Sequence, residues 1–470
     1  MDSMAKRLHE VRDAVHVFIE FDDDERRIID SPEFQRLRNI HQLALTYDVY
    51  PGASHKRFEH SLGVMHLAGR IYDVITRPDK ISDAVRATMP DPSQNDHRYW
   101  RTVVRMAALC HDLGHLPFSH AAEDELLPDG VDHELITWNI VHSDAMLAVF
   151  NAITPPVRAD DVGKLALGPR KAERLNLGVG FDAWEAILAE VIVGDSFGAD
   201  RMDYLLRDSL HTGVRYGQFD HERLLGTLRV MPEPAREDKE LDESGTEPVL
   251  GCERGGLQAA EQLLLARYFM FSQVYHHATR LAYNVHLKDF LKRWLPGGTF
   301  PIDVAGHLSR DDSDVLVAMK QAAADREHPG NDPARRILAR DHFKVAYEKR
   351  AAPKDGRANT EDHHGDTPGD VEALAQAAAK HFGEELVAYG APPSRKRPPD
   401  FAVRSRDGRS SEWASGLSDV YLRLPESPDA YVLADATIRD DVRRWLKENR
   451  ETLLDEARAA KIEETEKGVS

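Results

Sequence analysis

The sequence predicts a mainly α-helical protein with a smaller mixed α/β region toward its C-terminus. Apolar residues recur mostly at helical spacing, and runs with strand-like alternation are few. Short strands are expected only in a Pro- and Arg-rich stretch over residues 392–433. Helices therefore form the body of the predicted fold.

The predicted helices can be placed in chain order. Residues 21–45 predict two helices joined by a cap, with Ser31 as N-cap and Pro32 as the first helical residue. A buried helix is predicted over 101–115 and ends before Pro117. Further helices are predicted over 181–194, 201–213, 372–389 and 436–468, and residues 255–295 predict one long helix or a broken pair.

The composition changes near residue 350, which is the predicted domain boundary. We expect a large region over 1–350, a flexible insertion over 351–371 and an accessory region over 372–470. The accessory region is predicted to hold a helix, the short strands and a final charged helix.

Charge and cysteine content exclude several classes of protein. The 470-residue chain carries a formal net charge of −19, which disfavours a nucleic-acid coat protein but leaves room for a local basic pocket. Its two cysteines exclude a disulfide scaffold and fit a reducing cytoplasm. No apolar run approaches the ~18 residues of a membrane span. The N-terminal segment lacks an apolar signal core, so we expect a cytoplasmic protein.

Three separated segments place His or Asp beside apolar helical faces. They are HKRFEHSLGVMHLAGR (55–70), CHDLGHLPFSH (110–120, followed by DHE at 132–134) and DSFGADRMDYLLRD (195–208). Together His60, His111, Asp112 and Asp200 would supply two imidazoles and two carboxylates. Zinc, manganese, iron or a more hydrated magnesium ion suits such a mixed set.

Simpler interpretations compete with a metal centre. A single buried histidine is more often a core residue with satisfied hydrogen bonds, and Cys110 is expected to be packing. The histidine pairs at 276–277 and 363–364 are expected to lie at the surface or in packing. HDLGH also resembles the zinc-protease pattern HExxH, but Asp112 replaces its glutamate and Gly114 weakens the helix. The joint occurrence of three segments favours the metal centre.

The blocks RFEHSLG, HDLGHLPFSH and DRMDYLLRD resemble the signature blocks of HD-domain phosphohydrolases. The match is best to the deoxynucleoside triphosphate (dNTP) triphosphohydrolase branch, which includes the human SAM- and HD-domain dNTPase. Residues 28–63 and 265–280 also resemble this branch, and the likeness spans about 10–345. It implies an all-helical HD-domain catalytic region within 1–350. It also implies metal-dependent hydrolysis of dNTPs to deoxynucleoside and inorganic triphosphate.

The resemblance also implies roles for individual residues. The metal would be held by His60, His111, Asp112 and Asp200. The acid and base groups would be His115, His120, Glu123, His133 and Glu134, with His120 protonating the leaving oxygen and Glu123 orienting it. The triphosphate would contact Arg57, Arg201 and Arg267. The sugar would be lined by Gln42, Leu43, Tyr204, Asp208 and Tyr275.

Cofactors and partners follow from the same resemblance. It implies one divalent ion at the HD site, additional Mg²⁺ on the triphosphate, and a homo-oligomer that is a dimer or tetramer. Asp30, Gln35 and Arg38 match positions that read an activating nucleotide. RDAVHVFIE (12–20) departs from the family's D-P-x-H-G at Ala14 and Val17, which puts this allosteric site in question. Two alternatives stay open: an HD phosphohydrolase acting on another nucleotide or phosphoester, and a nucleotide-sensing subunit of a larger assembly, such as one for defence.

Overall fold

The computed structural model of the chain describes residues 6–90, 95–119, 123–235, 247–349, 366–392, 399–406, 408, 410–424 and 430–467. Helices dominate, as predicted, and the described strands form three small sheets. Among these residues, no helix is both long enough and apolar enough to cross a membrane.

The helices fall in the following order. They are α1 (Asp23–Ile29), α2 (Pro32–Gln35), α3 (Arg57–Ile75), α4 (Asn95–Cys110), α5 (Glu123–Leu126), α6 (His133–Val141), α7 (Asp144–Asn151), α8 (Ala159–Leu167), α9 (Pro169–Arg174), α10 (Ala183–Val193), α11 (Ala199–Thr212), α12 (His221–Thr227), α13 (Leu257–Met270), α14 (Ala278–Trp294), α15 (Val304–Leu308), α16 (Asp312–Ala324), α17 (Asn331–Leu338), α18 (Pro368–Phe382), α19 (Asp419–Arg423) and α20 (Arg439–Lys467).

The strands form one hairpin and two further sheets. They are β1 (Leu8–Asp13), β2 (Val17–Asp22), β3 (Leu228–Pro232), β4 (Pro248–Glu253), β5 (Lys344–Lys349), β6 (Val387–Gly390), β7 (Ala402–Arg404), β8 (Ser411–Trp413) and β9 (Ala430–Ala434). The hairpin pairs β1 with β2 antiparallel, Leu8 opposite Asp22. The second sheet has the order β3-β4-β7-β8, in which only β4 and β7 are parallel. The third, β5-β9-β6, is antiparallel.

Two compact units divide the chain. The first unit comprises residues 1–270, 300–315 and 398–424, and the second comprises 271–299, 316–397 and 425–470. The second unit has a core in which Val371, Leu374 and Val432 are fully buried. Each unit is assembled from several stretches of chain. The predicted boundary at 350 therefore stays a prediction, and residues 351–365 of the predicted insertion lie outside the described residues.

The core of the first unit is built around α3, which packs against both α4 and α11. Val64, Ile71 and Ile75 recur at helical spacing on α3 and are fully buried. Burial of each such side chain stabilises the fold by about 1.5–3 kcal/mol. This packing brings the polar residues at the start of α3 close to the end of α4 and the start of α11.

Several predicted helices are confirmed, and two have different ends. Ser31 caps α2 through its side chain, and residues 255–295 form the broken pair α13 and α14. The prediction of a helix through residue 115 was wrong, because α4 ends at Cys110 and the following HDLG segment is a turn. The helix predicted over 372–389 ends at Phe382, because Gly383 (φ +118°) leaves the helical conformation and β6 follows.

Candidate active site

Three elements of the first unit bring His60, His111 and Asp200 together. His60 lies on α3, His111 follows the last residue of α4, and Asp200 lies in the first turn of α11. One ligand atom from each lies within 4.8 Å of the others. His60 Nε2 is 3.1 Å from Asp200 Oδ1, and His111 Nε2 is 3.6 Å from the same oxygen. Two imidazole nitrogens therefore converge on one carboxylate.

His111 presents an unsatisfied nitrogen to this group. Its Nδ1 donates to the Ala108 carbonyl oxygen at 2.7 Å, so the other ring nitrogen, Nε2, faces the group. His111 Nε2 is buried and has no hydrogen-bond partner among the described residues. An unsatisfied buried polar atom costs about 1–3 kcal/mol. A divalent ion would satisfy this nitrogen.

His60 is oriented from behind by a second carboxylate. Its Nδ1 donates to Asp203 Oδ2 at 2.8 Å, which directs Nε2 toward Asp200. Burial opposes a charge on His60, but the hydrogen bonds to Asp200 and Asp203 outweigh burial and raise its pKa to about 10. With no ion bound, His60 is therefore protonated on both nitrogens, and metal binding would release the Nε2 proton.

Asp112 lies beside the three-residue group but is shared with other partners. One of its oxygens is 3.7 Å from His60 Nε2 and the other is 3.4 Å from His111 Nε2. It also accepts from Arg57 Nη1 and lies 3.1 Å from His115 Nε2. Burial opposes its ionisation, but Arg57 and the histidines hold the pKa of Asp112 well below its ordinary value. The nitrogen and carboxylate donors present thus fit a divalent ion.

A second polar group adjoins this centre. The rings of His115 and His133 stack with centroids 4.1 Å apart. His133 Nδ1 lies 2.5 Å from Glu123 Oε1 and 3.3 Å from Glu134 Oε2. Burial lowers the pKa of His133, but these two carboxylates outweigh it and raise the pKa overall. Four of the five predicted acid and base residues are therefore close together, and the fifth, His120, lies outside the described residues.

Neighbouring cations stabilise the ionised form of Glu134 in this group. Burial disfavours its charge, but His133 and Lys171 lower its pKa to about 2. Lys171 donates to Glu134 directly, and Arg174 Nη2 lies 3.6 Å from it. Neither cation on α9 was predicted as a site residue, because nothing in the spacing of the sequence links α9 to α6.

The three predicted phosphate-binding arginines differ in their surroundings. Arg57 is buried and donates to Asp112 and, at 2.8 Å, to Ser119 Oγ. Arg201 donates to Asp195 Oδ1 at 3.1 Å through Nη2. Its Nε and Nη1 are buried without a hydrogen-bond partner among the described residues. Burial opposes the charge of Asp195, but Arg201 first, and then Arg267 on α13, lower its pKa. Arg201 thus keeps two donors for an anionic ligand.

The predicted sugar-lining residues lie on several different elements of the chain. Gln42 Oε1 is buried without a partner among the described residues, and the adjacent Leu43 is buried. Tyr204 and Asp208 lie on α11, one turn apart. Tyr275 is a buried residue of the second unit, so it stays a prediction.

The residues expected to read an activating nucleotide have local partners. Asp30 accepts from Arg26 Nε at 3.0 Å. Gln35 accepts from Arg38 Nε at 2.8 Å, and the Arg38 guanidinium lies 3.5 Å from the centroid of the Phe58 ring. These contacts leave their predicted role untested.

Sequence reasoning missed several residues of the site. Asp203 and Arg207 lie on the face of α11 that carries Asp200, at i+3 and i+7. That spacing within DRMDYLLRD was the signal that could have revealed them. His55 donates to Asp208 Oδ1 at 2.7 Å and stacks on His211. Only the position of His55 beside the RFEH block hinted at this contact.

Parts of this chain match models of known protein families. A model of the HD domain matches residues 57–155, the segment that carries His60, His111 and Asp112. The segment that carries these candidate ligands is thus similar to an HD domain. A second model, an HD-associated region, matches residues 219–382. The match to the HD domain covers α3 through α7, and Asp200 joins its histidines from beyond the matched segment.

Several curated proteins are similar to part of this chain. An uncharacterized protein of Methanocaldococcus jannaschii, MJ1154, is 37% identical over 57% of this chain and 46% of its own. The deoxynucleoside triphosphate triphosphohydrolase SAMHD1 of Bos taurus is 31% identical over 47% of this chain and 38% of its own. The match thus spans about half or less of these relatives. Of the two, SAMHD1 is named for triphosphohydrolase activity, and MJ1154 is uncharacterized.

Solved structures share the fold. A hypothetical protein of Aquifex aeolicus is 29% identical, with a TM-score of 0.64, and the match covers 94% of this chain and all of the other. A phosphohydrolase from Bacteroides thetaiotaomicron is 21% identical with a TM-score of 0.65 over 91% of this chain, which shows a shared fold. The mainly α architecture is therefore confirmed.

Proposed function

We propose that this protein hydrolyses dNTPs to deoxynucleoside and inorganic triphosphate with a divalent ion. The observation that carries the proposal is the convergence of His60, His111 and Asp200, in which the buried His111 Nε2 has no hydrogen-bond partner among the described residues. The likeness to triphosphohydrolases named SAMHD1 supplies the substrate class. When bound, the ion would lower the pKa of a water molecule and offset phosphoryl charge.

Arg201 would bind the triphosphate in this proposal. It follows Asp200 directly in the chain, and its buried Nε and Nη1 are available as donors. Arg201 also keeps its position through the hydrogen bond to Asp195, so it is oriented before a ligand arrives. A planar guanidinium with two available donors suits paired phosphate oxygens. Arg201 would thus supply positive charge at the site of a chain that is acidic as a whole.

The stacked pair His115 and His133 would supply the proton for the leaving oxygen. His133 is held by Glu123, and Glu123 and Glu134 raise its pKa, which favours the protonated imidazole. His115 lies between His133 and Asp112, at stacking distance from one and 3.1 Å from the other. A proton donor next to the metal ligands is what cleavage of a phosphate ester bond requires. His120, the donor implied by the resemblance, lies outside the described residues and stays a prediction.

A product assay tests the substrate and the bond cleaved. Purified chain is incubated with each dNTP and each ribonucleotide, with Mn²⁺ or Mg²⁺, and with or without GTP as activator. Deoxynucleoside plus inorganic triphosphate is the expected product pair. Release of single phosphate or of pyrophosphate from dNTPs would contradict the proposal. The variant Asp200→Ala, which lacks one proposed ligand, should release nothing while keeping the wild-type circular dichroism spectrum.

The oligomer and its activation belong to the same proposal. The named triphosphohydrolase relatives support a nucleotide substrate. The proposal further includes a homo-oligomer that binds an activating nucleotide near Asp30, Gln35 and Arg38. Sedimentation with and without GTP measures the oligomeric state. A monomer that turns over at one rate in both conditions would remove this part and leave the hydrolysis unaffected.

A further inference from the structure

Asp203 is the hub of a buried network behind the candidate metal ligand His60. The carboxylate is fully buried and accepts four N–H groups. They come from His60 Nδ1 (2.8 Å), His16 Nε2 (2.7 Å), Arg207 Nε (2.8 Å) and Arg207 Nη2 (3.0 Å). An ionised carboxylate only accepts, so both histidines must donate to it. Each oxygen of Asp203 thereby has two donors.

His16 reaches this network from the turn of the N-terminal hairpin. Asp13, at the end of β1, accepts from the backbone N–H of His16 at 2.8 Å. Asp13 also accepts from Arg207 Nη1 at 2.8 Å. The next residue, Val17, has φ +68°, which is rare for a β-branched residue. The turn therefore holds a strained conformation in which the His16 side chain is only 2% exposed.

We propose that His16 is a positioning residue for the metal centre. It fixes Oδ1 of Asp203, and Oδ2 of the same carboxylate fixes the ring of His60 with its proton on Nδ1. The lone pair of His60 Nε2 is thereby directed toward Asp200 and His111 once an ion replaces the Nε2 proton. This inference rests on the proposed function only in that a divalent ion binds at His60, His111 and Asp200.

The alternative is that His16 merely attaches the hairpin to the body of the first unit. Arg207 already links Asp13 to Asp203, so the hairpin has a second attachment that does not use the His16 ring. A purely structural His16 would affect folding stability and leave metal affinity unchanged. A positioning His16 lowers metal affinity even where the fold is retained, because orienting partners of metal-bound histidines typically contribute about 10–100-fold to affinity.

Two substitutions separate the donor of His16 from its ring. His16→Phe keeps an aromatic ring and removes the N–H, whereas His16→Gln removes the ring and keeps an amide N–H near the position of Nε2. His9→Phe is the control. His9 lies on the same hairpin, donates to Asp23 Oδ1 at 2.8 Å and stacks on Phe21.

The readout is the dissociation constant for Mn²⁺, measured by calorimetry on full-length chain after chelation, with the urea midpoint of each variant alongside. We expect affinity to fall about 10–100-fold in His16→Phe, to recover largely in His16→Gln, and to stay unchanged in His9→Phe. Affinity within threefold of wild type in a folded His16→Phe variant would overturn the inference. So would equal losses in His16→Phe and His9→Phe.

Failure of the proposed function can be distinguished from failure of the role proposed for His16. In one outcome the wild-type chain binds Mn²⁺, and the variants show the expected pattern of affinities, while no triphosphate is released from dNTPs. That result would contradict the proposed function and support the role of His16. Wild-type chain that binds none of Mn²⁺, Zn²⁺, Fe²⁺ or Mg²⁺ would overturn both. If His16→Phe does not fold, His16→Gln is compared with His16→Ala. An equal loss of Mn²⁺ affinity in these two variants would overturn the inference, because the amide N–H donor kept in His16→Gln would then contribute nothing.

Discussion

The rings of His115 and His133 lie 4.1 Å apart and within 16° of parallel. This stack depends on Gly114, because a Cβ at that position would overlap the His133 carbonyl oxygen and the Thr137 backbone nitrogen. The HDLG turn therefore packs directly against the start of α6. The stack joins the residues around the candidate metal centre to Glu123 and Glu134.

Removing the imidazole of His133 should slow turnover without emptying the metal centre. We expect His133→Ala to reduce kcat by about 10²–10⁴-fold, the usual contribution of a general acid or base. Metal content, measured by inductively coupled plasma mass spectrometry, should match wild type. His142→Ala is the control on the same helix, since His142 caps α6 and pairs with Asp160 instead. Equal losses in both variants would show a structural effect.

Arg201 should contribute to binding of the triphosphate. We expect Arg201→Ala to weaken inhibition by inorganic triphosphate about 10–100-fold, since a hydrogen bond to a charged group contributes about 1.5–3 kcal/mol. Arg170 is a matched control, because it also lies near Asp195, at 3.3 Å, but its side chain is 84% exposed. Arg170→Ala should leave inhibition unchanged. Unaltered inhibition in Arg201→Ala would remove Arg201 from the binding site.

Gly63 should be essential to the packing of α3 on α11. A Cβ at residue 63 would overlap Asp203 Oδ1 and approach Arg207 Nη2. Because both partners are fully buried and hydrogen-bonded, we expect Gly63→Ala to destabilise the first unit by about 1–3 kcal/mol. Gly226→Ala is the control, since a Cβ there meets nothing within 4 Å. Urea denaturation measures both, and a Gly63→Ala variant as stable as wild type would contradict the packing.

Glu190 should make stability fall as pH rises. It faces a cavity of about 300 Å³ in the first unit, lined by the ends of α8 and α10, the start of α9 and the β3-β4-β7-β8 sheet. Neighbouring protein raises the pKa of Glu190 to about 7, although its side chain is exposed to solvent and the Leu250 N–H donates to it at 3.2 Å. Between its ordinary pKa of 4.5 and about 7 the folded chain binds more protons than the unfolded chain. The free energy of unfolding therefore decreases across this window.

The comparison of wild type with Glu190→Gln measures this contribution. The neutral amide cannot ionise, so the variant should gain stability relative to wild type as pH increases from 5 to 8. Glu173→Gln, at an exposed position on α9, is the control and should follow wild type. Urea midpoints that differ by the same amount at every pH would show that Glu190 is not protonated in the folded chain.

Much of the candidate site could be predicted from sequence, because its chemistry is concentrated in short blocks. His60, His111 and Asp200 each lie in such a block, and their residue types alone indicate a divalent ion. The fold class was also predictable, since helical periodicity dominates the chain. The approximate positions of α10, α11 and α20 follow from the same periodicity.

The remaining features depend on long-range packing. Just after α4 ends at Cys110, Gly114 lies against the start of α6, a contact that local helix propensity does not record. The contact of His16 with Asp203 joins the N-terminal hairpin to α11, and no local spacing predicts it. Likewise, Lys171 pairs with Glu134 only because α9 folds back toward α6.

Metal dependence is the most direct test of the candidate active site. Purified chain is stripped with a chelator and reconstituted with increasing Mn²⁺, and bound metal and dNTP turnover are measured on the same samples. We predict no turnover in the stripped protein and turnover that rises in proportion to bound metal, saturating at one ion per chain in the absence of bulk Mg²⁺. Asp200→Ala should fail to reach that occupancy. Full turnover by the stripped protein, with its metal content confirmed as zero, would contradict the account.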